Sequence, residues 1–261
     1  MSNGLLENKV ALVCGVGPDL GRSLALRSAH AGADVVLAAR DENRLRAVAE
    51  EIEGTGRKSL VVPTDITDEE SLTNLLDQTL GTFGRVDAFL NSAFIPRPQE
   101  RLLDTDLSAD GRWHQVNVLA PVRLVQKLAP ALIESKGSVV LINSMVIRNR
   151  LPHFGTYRMD KAALLAAARS LSVELGPHGV RVNSVAPGYI WAGKVQALFG
   201  RIARKRGVDA QQVYDEAAAG TDLRRLPTAE EIADAAVFLA SDMASGITGE
   251  CIDVNCGATH H

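Results

Sequence analysis

Cysteine is scarce in this chain of 261 residues, and the three present, Cys14, Cys251 and Cys256, cannot build a disulfide framework. Cys251 and Cys256 also lack the CxxC spacing of a zinc site, so no metal is expected. An excess of one charge is missing too: 28 basic against 31 acidic side chains leave a net charge of -3. That balance gives nucleic acid no whole-chain electrostatic attraction. Long hydrophobic runs are absent, since no stretch of about 18 uncharged apolar residues occurs. Residues 1–10 (MSNGLLENKV) place Glu7 ahead of the first apolar run and lack the basic start and apolar core of a signal peptide. What remains is ordinary for a globular chain, 46% hydrophobic and 23% charged. The expectation is a soluble, cytoplasmic protein with no nucleic-acid or membrane partner.

What is there alternates. Lys9–Cys14 (KVALVC) is a short apolar run that stops at a glycine cluster, the pattern of a buried strand. Helical spacing follows over Asp19–Ala31, halted by Gly32; a strand at Asp34–Ala39 and a charged helix over Glu42–Glu53 come next. The pattern continues with a strand at Ser59–Val62, a helix capped by Asp68 and running through Phe83, and a strand at Val86–Leu90. A long helix fits Ser108–Glu134, with Pro121 as an interruption. Then come strand Ser138–Ile142, helix Gly155–Leu175, strand Val180–Val185, helix Ala229–Leu239 and strand Cys251–Val254. Such alternation implies right-handed βαβ units and a doubly wound, three-layer α/β sandwich around a mostly parallel sheet of about seven strands. No linker or repeat divides residues 1–261, which read as one domain. Only Tyr189–Thr221 departs from the alternation, and it is read as an irregular, mobile flap after a strand end.

Two constellations carry chemistry. Cys14-Gly15-Val16-Gly17-Pro18-Asp19-Leu20-Gly21 lies between the first strand and the first helix, where a dinucleotide fold sets its pyrophosphate against free helix N–H groups. Asp19 is repulsive to phosphate there; the expectation is that it caps the helix, with Arg22 offsetting its charge. Farther on, Tyr157 and Lys161 sit four apart on one helix face, where an ammonium favours phenolate and brings a tyrosine toward acid–base work. Ser144 follows the fifth strand, at a sheet end where ligands bind, and Asn117 is an amide on an apolar stretch that needs a partner.

With these motifs in place the chain resembles the short-chain dehydrogenase/reductase family, whose loop is Thr-Gly-x3-Gly-x-Gly and whose tetrad is Asn-Ser-Tyr-Lys. The resemblance implies a Rossmann-type fold and hydride transfer between a nicotinamide and a carbon bearing oxygen. It implies that Tyr157 exchanges the proton, Ser144 hydrogen-bonds the substrate oxygen, Lys161 holds the nicotinamide ribose and Asn117 anchors a relay water. It extends to Gly15, Gly17, Asp19, Leu20 and Gly21 in the loop, Asp65 and Ile66 near the adenine, Asn91 and Ala93 after the fourth strand, and Pro187, Gly188 and Ile190 after the sixth. The sequence departs from the family at Cys14, Asp19, Ser92, Phe94, Asn255 and Cys256, and Ala192 stands where many members carry threonine. The family also implies a homotetramer, or a homodimer, packed through the two long helices.

The second strand ends Leu37-Ala38-Ala39-Arg40, without the acidic residue that binds ribose hydroxyls, and Arg40 suits a 2′-phosphate. NADP(H) is therefore favoured, NAD(H) being the alternative. Tyr189, Trp191, Phe199 and Tyr214 in the flap, with Phe94, Met145 and Phe154 near the tetrad, suit an apolar alcohol or ketone. Arg148, Arg150, His153 and Arg158 form a basic run near the mouth, and His260 and His261 read as tail residues. The rival readings are a dinucleotide sensor weak in turnover, suggested by Asp19 and Ala192, and a scaffold protein, which the intact tetrad disfavours.

Overall fold

The computed structural model describes residues 4–109 and 111–260. Residues 1–3, Asp110 and His261 lie outside them, and with them the N-terminal reading at those positions, one position of the long helix and the tail reading of His261. His260 pairs with Asp222 at 2.9 Å.

Seven strands form one parallel sheet: β1 (Val10–Cys14), β2 (Asp34–Ala39), β3 (Ser59–Pro63), β4 (Ala88–Asn91), β5 (Ser138–Ile142), β6 (Arg181–Pro187) and β7 (Cys251–Val254). Their order is β3-β2-β1-β4-β5-β6-β7, with every neighbouring pair parallel. The direction of winding reverses between β1 and β4, and Cys14 stands level with both Ala38 and Asn91 there. A cleft opens at the carboxyl ends of strands at such a reversal.

Alternate side chains of each strand enter opposite layers. Ala11 and Val13 pack beneath α1 (Leu20–His30), α2 (Glu42–Glu53) and a C-terminal helix, residues 229–240. Val10, Leu12 and Cys14 pack beneath α3 (Glu69–Phe83) and the two long helices. Asp41 and Asp68 cap α2 and α3, accepting from the backbone of Arg44 at 3.1 Å and Ser71 at 2.7 Å.

The long helix differs from expectation. It opens with a short turn, α4 (Gly111–His114), passes through a π-helical turn at Gln115–Leu119 and continues as α5 (Ala120–Ser135). Pro121 does not end it: the residue falls in the first turn of α5, directly after the π-helical turn, so the proline coincides with the change of hydrogen-bond register. By length and composition Gly111–Ser135 is apolar enough to cross a membrane, but the apolar side chains Leu124, Val125, Leu128 and Leu132 belong to the core beneath the sheet. Beside it runs α6 (Gly155–Leu175), with Leu164, Ala168 and Leu171 in the same core.

The flap is not irregular. It holds two helices, α7 (Gly193–Arg206) and α8 (Ala210–Ala219), ahead of α9 (Ala229–Ala240). Phe199, Ala203, Val213 and Leu226 make a separate small core there, and Trp191 stands edge-on to Tyr214 at 4.5 Å. The apolar spacing Val195, Leu198, Phe199 and Ile202 is helical, and it folds the segment onto itself.

Candidate active site

The turn from β1 into α1 is set by two glycines. Gly15 has φ +86° and donates its N–H to Ala38 at 2.8 Å. A Cβ on Gly15 would strike the backbone of Ala93, and one on Gly21 the carbonyl of Gly15. The loop therefore lies against the end of β4 with no room for side chains. Helix α1 begins with no side-chain cap and no acidic residue in its first turn. Uncapped N–H groups behind a glycine cradle suit a pyrophosphate.

Asp19 behaves unlike the expectation. It does not cap α1; its Oδ1 accepts from the backbone N–H of Gly193 at 3.2 Å, across the cleft at the start of α7. Ala192 offers α7 no side-chain cap, so Asp19 supplies one from 174 residues away. Arg22 does not offset Asp19 either, because its guanidinium is bound to Glu51.

A cavity of about 1140 Å³ runs from Arg40 and Asp65 past this loop to Tyr157 and on to Tyr189. Every expected catalytic and cofactor position borders it except Asn91 and Asn117. Asn91, at the end of β4, is 2% exposed and its Oδ1 has no hydrogen-bond partner. Asn117 lies in the π-helical turn and is wholly engaged with protein: it accepts from Ile95 N–H at 2.9 Å and donates to Ile95 O and Asp160.

At the adenosine end Asp41 is consumed by its cap and by an ion pair with Arg44 at 3.0 Å, and Glu42 by Arg46. Arg40 makes no hydrogen bond or ion pair among the described residues and is exposed. Asp65 accepts from Thr67 N–H and hydroxyl at 2.9 and 2.7 Å; these bonds, with Arg40 and Arg112 nearby, hold its carboxyl below the usual range.

At the other end Ser144 leaves β5, held by Asn143, whose Oδ1 accepts from Ser144 N–H at 2.9 Å. Asn143 also donates to the carbonyl of Lys161 at 3.1 Å, which ties β5 to α6. Tyr157 and Ser144 border the cavity together, and the Ser144 side chain is the polar neighbour that acts on the phenol. Lys161, 4% exposed, donates to the Ile142 carbonyl at 2.7 Å, with its Nζ 5.9 Å from the Tyr157 ring. Burial pulls Lys161 from 10.5 to about 8. Burial also lifts Tyr157 above its ordinary 10, the Ser144 side chain beside it works against this, and Asp160 adds to it. The depression expected from the Tyr–Lys spacing is thus reversed, because desolvation of the phenol dominates.

Four neighbours were missed in the sequence: Arg97, Asp160, Arg112 and Lys194. Asp160 lies inside the Tyr–Lys motif, and its partner Arg97 is 63 residues distant. The basic run does not form a mouth cluster: Arg148 pairs with Asp253 at 2.7 Å, and Arg158 donates to the carbonyls of Val146 and Asn149. No cluster of metal-ligating side chains occurs among the described residues.

Comparison with known proteins agrees with this geometry. A family model described as Enoyl-(Acyl carrier protein) reductase matches residues 15–259. An uncharacterised oxidoreductase of Mycobacterium tuberculosis is 35% identical over 256 residues, 97% of this chain and 93% of that protein. The structure of a 7α-hydroxysteroid dehydrogenase complexed with NADH and 7-oxo glycochenodeoxycholic acid superposes with TM-score 0.87 at 30% identity, over 100% of this chain and 98% of that one. A carveol dehydrogenase of Mycobacterium avium in complex with NAD superposes with TM-score 0.90 at 25% identity, over 98% and 99% of the two chains. Glycine cradle, strand order and these relatives together assign the chain to the short-chain dehydrogenase/reductase family, as a Rossmann-fold, NAD(P)-dependent oxidoreductase of alcohols and carbonyls.

Proposed function

We propose that the protein interconverts a secondary alcohol and a ketone on an apolar, ring-bearing substrate, with Tyr157 as proton donor and acceptor. The observation that carries this reading is the convergence of Ser144, Tyr157 and buried Lys161 on the large cavity at the carboxyl end of β5. A bound nicotinamide dinucleotide supplies the hydride donor or acceptor. Ser144 orients the substrate oxygen, Tyr157 passes the proton to or from it, and Lys161 provides positive charge beside the phenol. Phe94 and Phe154 flank Tyr157 with ring centroids 6.1 and 6.5 Å away, and Met145 and Tyr189 continue an apolar wall. A panel of aliphatic, cyclic and aromatic alcohols and ketones, assayed with both cofactors, tests this. Turnover of cyclic members is expected; hydride transfer with none of them overturns it.

NADP(H) is the proposed cofactor, because Ala39 offers no carboxylate, Arg40 is unpaired, and Asp41 and Glu42 are neutralised by Arg44 and Arg46. A partly exposed phosphate–arginine contact of about 1.5–3 kcal/mol corresponds to a preference over NADH of roughly ten- to a hundredfold. Dissociation constants for the parent and for Ala39→Asp with Arg40→Ala decide the matter: the preference should reverse, and equal affinity of the parent for both cofactors ends the argument.

The contact of Asp19 with Gly193 favours a second reading, a dinucleotide sensor slow in turnover, since it puts a carboxylate beside the pyrophosphate cradle. Replacing Asp19 by glycine should tighten cofactor binding by about fivefold at low salt, from relief of repulsion on the order of 1 kcal/mol. Unchanged or weaker binding in a fluorescence titration would show that the carboxylate and the phosphates do not compete. A homotetramer or homodimer through α5 and α6 belongs to the same proposal, supported by exposed Met159 and Val173 on α6.

A further inference from the structure

Asp160 lies one residue before Lys161 and takes no part in the chemistry proposed above, yet it is 1% exposed. A buried carboxylate needs a full set of partners. Arg97, also buried, meets both of its oxygens, Nε at 2.8 Å and Nη2 at 2.7 Å. Asn117 Nδ2 donates to Oδ2 at 2.9 Å, and the His114 imidazole is 3.6 Å from Oδ1.

These partners converge on one loop. Ile95 is gripped at its N–H and carbonyl by Asn117, at 2.9 and 3.1 Å. The carbonyl of Pro96 accepts from Trp113 Nε1 at 3.0 Å, and the Arg97 guanidinium lies 5.3 Å from the centre of the Trp113 ring. The loop so fastened carries Phe94, which stands beside Tyr157 with Lys161 Nζ 5.7 Å from its ring. The helix of the acid–base pair and the loop that walls it therefore share a buried anchor. A buried ion pair is by itself weak evidence for stability, and this one stands directly beside the Tyr157–Lys161 pair, which points to an electrostatic role.

We propose that the Asp160–Arg97 pair is a positioning device for proton transfer: it fastens residues 94–97 to the helix that carries Tyr157 and Lys161, and it balances the charge beside them. The proposal rests on Tyr157 as the proton donor and acceptor. Asp160 disfavours phenolate at Tyr157 and favours ammonium at Lys161; by its sign, a guanidinium bound to that carboxylate acts the opposite way on both. Also facing the cluster are His114 from α4, Lys194 from α7, 5.7 Å from the Phe94 ring, and Cys251 from β7 beside Lys161.

The test compares Asp160→Asn, Arg97→Gln and the double variant, with Tyr157→Phe alongside, in the whole chain. The readout is the pH profile of kcat/KM for oxidation of the secondary alcohol that the panel identifies as best used. Asp160→Asn leaves the guanidinium unopposed and should move the acid limb down by about one pH unit; Arg97→Gln should move it up by a similar amount. In the double variant the limb returns to its parent position, while kcat stays roughly tenfold low with KM within about twofold, because an amide pair grips the loop less firmly. Folded single variants with the parent limb and parent kcat overturn the proposal. Where the singles do not fold, the double variant decides: folded and with parent kcat, it overturns the proposal. If Tyr157→Phe keeps its turnover, the acid–base reading falls and this proposal with it. If Tyr157→Phe is dead while the pair variants match the parent, this proposal alone falls.

Discussion

Replacing Tyr157 by phenylalanine should lower turnover by about 10²–10⁴-fold, the range that general acid–base catalysis supplies. The substitution removes one oxygen and keeps the ring, which packs between Phe94 and Phe154. Its polar neighbour is Ser144, which borders the cavity and is open to other partners, so the fold should survive. Cofactor affinity should stay within about threefold, because the glycine cradle lies on β1 and α1 and is untouched. The loss should appear equally in kcat and kcat/KM, as for an interaction made only in the transition state. Steady-state kinetics on a substrate whose chemical step limits turnover, beside a cofactor titration, check both halves. Near-parent turnover would remove Tyr157 from the mechanism. Loss of cofactor binding together with turnover would instead make it a structural residue.

The parts of this fold written in local pattern were legible. Buried strands show as apolar runs, so β2, β5 and β7 fall where the sequence places them, and α2 and α6 are bounded by glycines or caps that act within a few residues. The serine, tyrosine and lysine stand out in the sequence by their resemblance to a family motif, and the structure brings them to one cavity because they ride on two neighbouring elements, the end of β5 and α6. What the sequence hides is contact across the cleft. Asp19 reads as a helix cap until α7 is seen to bring Gly193 against it. Nothing in the local pattern marks Asp160 as buried; its partner Arg97 arrives on the loop after β4. The π-helical turn at Gln115–Leu119 has no period that distinguishes it from the α-helix on either side, and it sets the register at which Asn117 meets Ile95. The flap is a different case. Its apolar residues recur at helical spacing, but no strand alternates with them, because the two helices bury their apolar faces on each other instead of on the sheet.

Lys161 should make folding stability depend on pH in the direction opposite to that of an ordinary ion pair. Burial is the main reason that it binds its proton less tightly when folded, at about 8, against 10.5 in an unfolded chain. Below pH 8 both states carry the proton, and the folded state bears the full penalty of a buried ammonium. Between 8 and 10.5 the unfolded chain holds a proton that the folded chain has released, so this residue makes stability rise with pH. At 1.36 kcal/mol per pH unit the whole effect is on the order of 3 kcal/mol. Other groups titrate in the same region: buried Cys14, raised to about 12, and Tyr157, also raised, both oppose the trend at high pH. The measurement is therefore a difference. Unfolding free energies of the parent and of Lys161→Met are compared at pH 7 and at pH 10, by denaturant titration. The methionine variant loses the bond to the Ile142 carbonyl, a fixed loss at every pH, but it is freed from the buried charge. Relative to the parent it should be most stable at pH 7, and that advantage should shrink by about 2–3 kcal/mol by pH 10. A gap that does not change with pH would mean that the ammonium is no strain on the fold. If the gap closes as expected while the variant is inactive, the same desolvation that destabilises the protein is what places a titrating cation beside Tyr157, with its proton exchange brought down toward neutral pH.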